Sequence, residues 1–320
     1  LKLPELKIAH MKSKLPIIQG GMGVRISLSN LASAVSNAGG IGIISGTGIP
    51  IDELKYHIRE AKEKTKGLGY IGVNVLYAMT DFAETMKAAM EEKVDFIISG
   101  AGISRDMYNW GKSYNVPVIS IVSSAKLAKM SQRLGASAVV VEGTEAGGHL
   151  GTDRPLFDIL PEVVEAVDIP VIAAGGIIDG RDVRKALEAG ASGVQMGTRF
   201  VASQECDAPL SFKEKYLSST ETVLIKSVVG LDGRAVPNRF TDKISNDQKL
   251  KIDRCVSCLK KCSHRYCILD SLLKSVGGDA EEGLVFSGSR VGEITEILSV
   301  KEIFDRIKKE FNDLPSISKA

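Results

Sequence analysis

The sequence is short of aromatics, which make up 5% of its 320 residues with a single Trp. It has no apolar run of the roughly 18 residues that a membrane-spanning helix requires. It also lacks a dominant charge. Forty-one Lys and Arg stand against 39 Asp and Glu, a net of +2, so no long-range field draws the chain to nucleic acid or to an anionic membrane. Histidine is scarce, at 4 residues, and each imidazole can be weighed separately. Five cysteines are an odd count, and the crowding of four of them between Cys255 and Cys267 does not suit a secreted disulfide framework. The segment from Leu1 to Lys14 is lysine-rich without an apolar h-region, so no secretory signal is expected and a cytoplasmic location is. Neither G-x-S-x-G nor H-E-x-x-H occurs, which argues against a serine hydrolase or a zincin.

What is present suits a soluble globular fold. Apolar residues at 44% and charged residues at 25% can build a sizeable core. Thirty-two glycines suit tight turns and close approach of backbone to a ligand. At roughly 150 residues per domain, the length allows two domains or one large barrel with an appendage.

Up to about residue 200 one cassette recurs: a Val/Ile-rich run, a Gly or Ser turn, an amphipathic helix and a small-residue return such as Leu134-Gly135-Ala136. Apolar runs start near Leu15, Ile41, Tyr70, Val94, Val116, Ala138, Ile169 and Gly193, the number that closes a (β/α)8 TIM barrel. Runs such as PVISIV and SAVVV are apolar on consecutive residues, as parallel strands buried on both faces require. An open doubly wound sheet is the structural alternative. Helices are expected over Ser29 to Asn37, Asp52 to Lys66, Asp81 to Glu92 and Asp179 to Glu188, several with Asp or Ser caps. The cassette stops after Phe200. Residues 1–204, completed by 284–320, form the expected barrel, and 205–283 a small, mostly helical insertion over its mouth. Its helices are placed at Asp247 to Lys261 and Cys267 to Val276, and a final helix at Val300 to Phe311.

Barrel active sites lie at the C-terminal strand ends, and glycines collect there. Gly175-Gly176 after the seventh run and Met196-Gly197-Thr198 after the eighth read as a phosphate cradle of backbone N–H groups, or as ordinary loop glycines. Gly20-Gly21-Met22-Gly23 and Asn74 offer Cβ-free positions and a carboxamide for the face and edge of a planar ring. The alternatives are a plain turn and a helix cap. Of the four histidines, His149 alone lies on a Gly-lined loop at a strand end, where an imidazole can exchange protons near neutral pH, whereas His10 and His57 read as surface residues. Cys255-x2-Cys258-x3-Cys262-x4-Cys267, with His264 as an alternative fourth ligand, could hold an iron–sulfur cluster or Zn, or could simply pack as free thiols. Cys206 reads as an ordinary thiol.

QGGMG, LASAVSNAGGIGIIS, VEGTEAGGHLGT, PVIAAGGIIDGRDVRKALEAGASGVQMGTRF and the returning GLVFSGS together resemble the FMN-dependent nitronate monooxygenase family, whose close relatives include FabK-type enoyl-acyl-carrier-protein reductase. The resemblance implies an FMN oxidoreductase. It sets the phosphate on Gly175, Gly176, Gly197 and Thr198, and the ring near Met22, Asn74, Glu142 and Gln195. Gly21, Gly23, Gly147, Gly148 and Met196 belong to the same lining, and His149 is the catalytic histidine. The implied reaction is oxidation of nitronates or nitroalkanes with O2. Reduction of an enoyl thioester with NAD(P)H is the alternative, and a non-catalytic phosphate-binding barrel the alternative of another class. The substrate is then a small molecule or an acyl thioester, and a homo-oligomer is compatible with either. The stretch VISIVSSAKLAK, in the apolar run that starts near Val116, is nearer the reductase branch, and the cysteine-bearing insertion belongs to neither pattern.

Overall fold

A computed structural model describes residues 3–246 and 249–313. The chain opens with the antiparallel hairpin of β1 (Leu6–Ile8) and β2 (Met11–Ser13). Then come the strands β3 (Ile17–Gln19), β4 (Ile41–Ser45), β5 (Tyr70–Leu76), β6 (Phe96–Gly100), β7 (Val118–Val122) and β8 (Ala138–Glu142). A short β9 (Gly148–Leu150) precedes β10 (Val171–Ala174) and β11 (Gly193–Met196). All of these except β1, β2 and β9 close into an eight-stranded parallel barrel in the order β10-β11-β3-β4-β5-β6-β7-β8. This is the expected TIM barrel.

The consecutive apolar residues divide between two cores. Ile18, Ile43, Ile98, Ile119, Val140 and Ile172 fill the interior, while Ile17, Val139, Val141, Val171 and Val194 pack outward. A strand alternates its side chains, so a run buried on both sides must be apolar throughout. Leu6, Ile8 and Met11 of the opening hairpin join the interior core. They plug the N-terminal ends of the strands, where the Lys12 amide donates to the Tyr70 hydroxyl at 3.0 Å. The opposite end stays open for the site.

Observed helices at Ser29–Asn37, Ile51–Thr65, Phe82–Glu91, Gly180–Glu188 and Val300–Asp313 lie where the sequence places them. Asp179 forms a capping box with Asp182, and Ser104 and Ser124 cap two further helices. Among the described residues no helix is long and apolar enough to cross a membrane.

Residues 205–283 hold helices Leu210–Leu217, Arg239–Ser245 and Ile268–Val276. They also hold an unforeseen hairpin of β12 (Val223–Lys226) and β13 (Asp232–Ala235), which pairs antiparallel with β9. The helix expected from Asp247 to Lys261 is not formed over 249–261, and residues 247 and 248 lie outside the described residues. The backbone there bonds outward instead. Cys258 O accepts from the Thr80 amide at 3.0 Å, and the Lys260 amide donates to Ala78 O at 2.9 Å. Ser257 and His264 adopt positive φ angles of 51° and 53°, which interrupt any helix. Tertiary bonding to the loop after β5 has overridden a weak local propensity.

Asn238 ties the start of one helix in this segment to the segment's end. Its Oδ1 accepts from the Thr241 amide at 2.8 Å, and its Nδ2 donates to Ala280 O at 2.6 Å and Gly283 O at 2.8 Å. Asn238→Ala removes a cap and leaves two buried carbonyls unpaired. We expect a loss of about 2–3 kcal/mol in denaturant unfolding; a loss under about 0.5 kcal/mol would show that the tie does not hold the segment.

Candidate active site

The C-terminal strand ends open into a cavity of about 490 Å³. On one side it is lined by Gly21, Met22 and Gly23 after β3, Asn74 in β5 and Gln195 in β11. A Cβ on Gly21 would stand 2.3 Å from Asn74 Cβ, so glycine there is what lets Asn74 pack against the β3 loop. Asn74 is not a helix cap, since Asp81 occupies that position before Phe82–Glu91. Gln195 Oε1 and Ser45 Oγ are buried without a hydrogen-bond partner among the described residues, and both residues line the cavity. Unsatisfied buried acceptors and hydroxyls call for a polar ligand.

The rest of the wall is mostly backbone. Gly147, Gly148, Gly175, Gly176, Gly197 and Thr198 line it together with Gly288 from the returning segment. Gly175 and Gly176 have φ angles of 105° and 68°, a left-handed pair that L side chains rarely adopt and that leaves the backbone there open to a ligand. Thr198 Oγ1 accepts from the Gly288 amide at 3.0 Å, fastening the return to the β11 loop. Arg290, which the sequence reading missed, braces the loop after β10: its Nη1 donates to Gly176 O at 2.7 Å and to Asp182 at 2.6 Å. Its charge is spent on Asp182 and Glu293, which hold its pKa above the ordinary value. Met196 does not reach the cavity. Its side chain is buried in the outer core, and only its carbonyl acts nearby, accepting from the Gly20 amide at 2.9 Å.

Two titratable groups meet in this cavity with pKa values pushed in opposite directions. Burial drives the Glu142 carboxyl up to about 8 and the His149 imidazole down to about 4. At neutral pH both are therefore uncharged: His149 has one unprotonated nitrogen and Glu142 keeps its proton, and the burial opposes charging either. His149 sits on β9, opposite Gly233 of β13. Its Nε2 lies 2.8 Å from Ser227 Oγ, and its ring packs edge-on to Phe286 at 5.3 Å. The insertion lends Tyr216, Leu231 and Leu272 to the lining.

The cysteines do not form the metal site considered from the sequence. Among the described residues, no group of three or more His, Cys, Asp and Glu is placed to hold a metal ion, so the structure gives the iron–sulfur and Zn expectations no support. Burial, and then the nearby Cys267, Cys262 and Cys255, push the Cys258 thiol up. Cys255 is exposed, Cys258 and Cys262 pack on an apolar cluster with Leu259 and Tyr266, and Cys262 Sγ accepts from the His264 amide at 3.4 Å. Burial pushes the Cys206 thiol up to about 12, as befits an unreactive core thiol.

The family described as nitronate monooxygenase matches residues 4–310. The chain is 34% identical over 238 residues, 74% of its length, to (3aS,4S,5R,7aS)-5-hydroxy-7a-methyl-1-oxo-octahydro-1H-indene-4-carboxyl-CoA dehydrogenase of Rhodococcus jostii, and spans 66% of that relative. It is 32% identical to a probable nitronate monooxygenase of Staphylococcus aureus, with 72% of this chain and 77% of that one covered. The solved structure of FabK from Thermotoga maritima is 36% identical with a TM-score of 0.83, covering 96% of this chain and 94% of its own.

Proposed function

Because the chain belongs to the nitronate monooxygenase family and is a flavin-dependent oxidoreductase, we propose that it binds FMN in the barrel mouth and oxidises nitronates and nitroalkanes with O2, giving a carbonyl compound and nitrite. Family membership sets aside the non-catalytic phosphate-binding barrel. The observation that carries the reading is His149 on the cavity wall, with its Nε2 bonded to Ser227 and its ring against Phe286.

Gly175, Gly176, Gly197 and Thr198 would hold the FMN phosphate on backbone N–H groups and a hydroxyl, and Met22, Asn74, Glu142 and Gln195 would surround the ring. Bound FMN supplies electron transfer between substrate and O2. His149 takes the carbon proton when the neutral nitroalkane is used, and the lid side chains Tyr216 and Leu272 limit water around it. A second reading, reduction of an enoyl thioester with NAD(P)H, is favoured by the identity to FabK across nearly the whole chain.

Steady-state assays with nitronate plus O2 and with enoyl thioester plus NAD(P)H separate the two, and purified protein that takes up no FMN would refute both. Gly176→Leu tests the cradle. A side chain there must adopt φ near 68° and stand 3.1 Å from Glu145 Cβ. We expect FMN to bind ~10-fold more weakly or worse, with the fold retained. Unchanged affinity in a folded variant would move the phosphate elsewhere.

A further inference from the structure

We infer that Ser227, supplied by the insertion hairpin, is the positioning residue that fixes the orientation and tautomer of the His149 ring, with the Tyr266 hydroxyl behind it. The inference rests on the reading of His149 as the group that handles the substrate proton.

An imidazole can do that only if one nitrogen faces the substrate and the other is held, because a ring free to rotate or to change tautomer presents the wrong nitrogen part of the time. Here Nε2 is held by Ser227 Oγ at 2.8 Å, which leaves Nδ1 as the nitrogen without a protein partner among the described residues. Ser227 is itself fixed. It is 6% exposed, its amide donates to Leu231 O at 3.0 Å, and its carbonyl accepts from the Gly230 amide at 3.1 Å. Its hydroxyl therefore hangs from a closed turn and not from a mobile loop. With Nδ1 as the accepting nitrogen, Nε2 carries its hydrogen and donates to Ser227 Oγ both before and after Nδ1 gains a proton, so Ser227 accepts throughout and its own hydrogen is left for another partner.

Behind Ser227 lies an unexplained group. Tyr266 is 2% exposed, and its hydroxyl is buried without a hydrogen bond of normal geometry. That hydroxyl stands beside the Ser227 hydroxyl and the Val228 backbone. Tyr266 is held edge-on to Phe240 at 5.4 Å, and the nearby Ser263 amide donates to Val228 O at 3.0 Å, binding the tyrosine segment to the hairpin. A buried tyrosine hydroxyl is costly to leave unpaired, and Ser227 is the adjacent side chain that can pair it. The order Tyr266, Ser227, His149 runs from the insertion into the cavity.

The test is made on the purified full chain with its flavin, labelled with ¹⁵N-histidine. Four histidines give few signals, and the His149 signal is the one lost in His149→Gln. In the native protein the two His149 nitrogens should show the separated shifts of a single tautomer. In Ser227→Ala they should move together toward averaged values. Ser227→Thr should restore the separation, and Tyr266→Phe should shift them less than Ser227→Ala does. With nitroalkane as substrate, Ser227→Ala should lower kcat ~10- to 100-fold with little change in KM or FMN content. An unchanged tautomer in Ser227→Ala would overturn the proposal. A changed tautomer with unchanged turnover would uphold the positioning and overturn the reading of His149 as the proton carrier.

Discussion

His149→Ala should leave FMN bound and lower turnover of a neutral nitroalkane ~10²- to 10⁴-fold, the range for losing a general acid or base. The preformed nitronate has already lost its proton, so its turnover should fall far less. The contrast between the two substrates carries the test, because a variant that merely disturbed the cavity would slow both alike. The ring packs between Ser227 and Phe286, so its removal deletes side-chain contacts while the backbone pairing of His149 with Gly233 remains. Equal losses with both substrates would count against proton removal and shift weight to the reductase reading.

The second large effect is a dependence of stability on pH. Glu142 has an ordinary value of 4.5 and is raised to about 8 in the fold. The unfolded chain therefore releases this proton before the folded one does, and the stability it contributes is full below 4.5 and lost as pH rises through 8. The slope is on the order of 1.4 kcal/mol per pH unit inside that window. His149 acts the other way: its value falls from 6.5 to about 4, so its share is present above 6.5 and lost as pH falls toward 4. Between pH 6.5 and 8 the carboxyl titrates without opposition from the imidazole. In that interval flavin-free protein should lose stability relative to Glu142→Gln, which stays neutral throughout. Parallel melting curves for the two proteins from pH 6.5 to 8 would show that Glu142 is solvated and not buried neutral.

Much of the barrel is legible in the sequence because its cause is local. A strand buried on both faces must read apolar on consecutive residues, as Ala138–Glu142 and Val118–Val122 do, and a helix cap such as Asp179 acts within a turn. The glycines of the cavity are legible for the same reason, since Gly175 and Gly176 answer a backbone demand at their own positions. Ser227 is invisible at that level. It lies 78 residues from His149, and no spacing rule links them. Arg290 likewise meets Gly176 across 114 residues, and its neighbours in sequence do not hint at the contact. The rim loop misleads because Lys249, Leu250, Lys251 and Ile252 permit a helix, whereas the bonds that decide its path come from Ala78 and Thr80. Met196 misleads in another way: it lies at the right strand end, but the alternation of β11 turns its side chain outward while Gln195 faces the cavity.

The pairing of β9 with β13 has a consequence for how the protein is made. A ribosome delivers His149 long before Ser227 and the strand Asp232–Ala235 that will hold it, and Phe286 and Gly288 later still. A nascent chain that has finished all eight barrel strands by Met196 thus has a histidine but no seat for it. The seat of the histidine is therefore assembled only after the last barrel strand has been made, from Ser227, Asp232–Ala235 and Phe286.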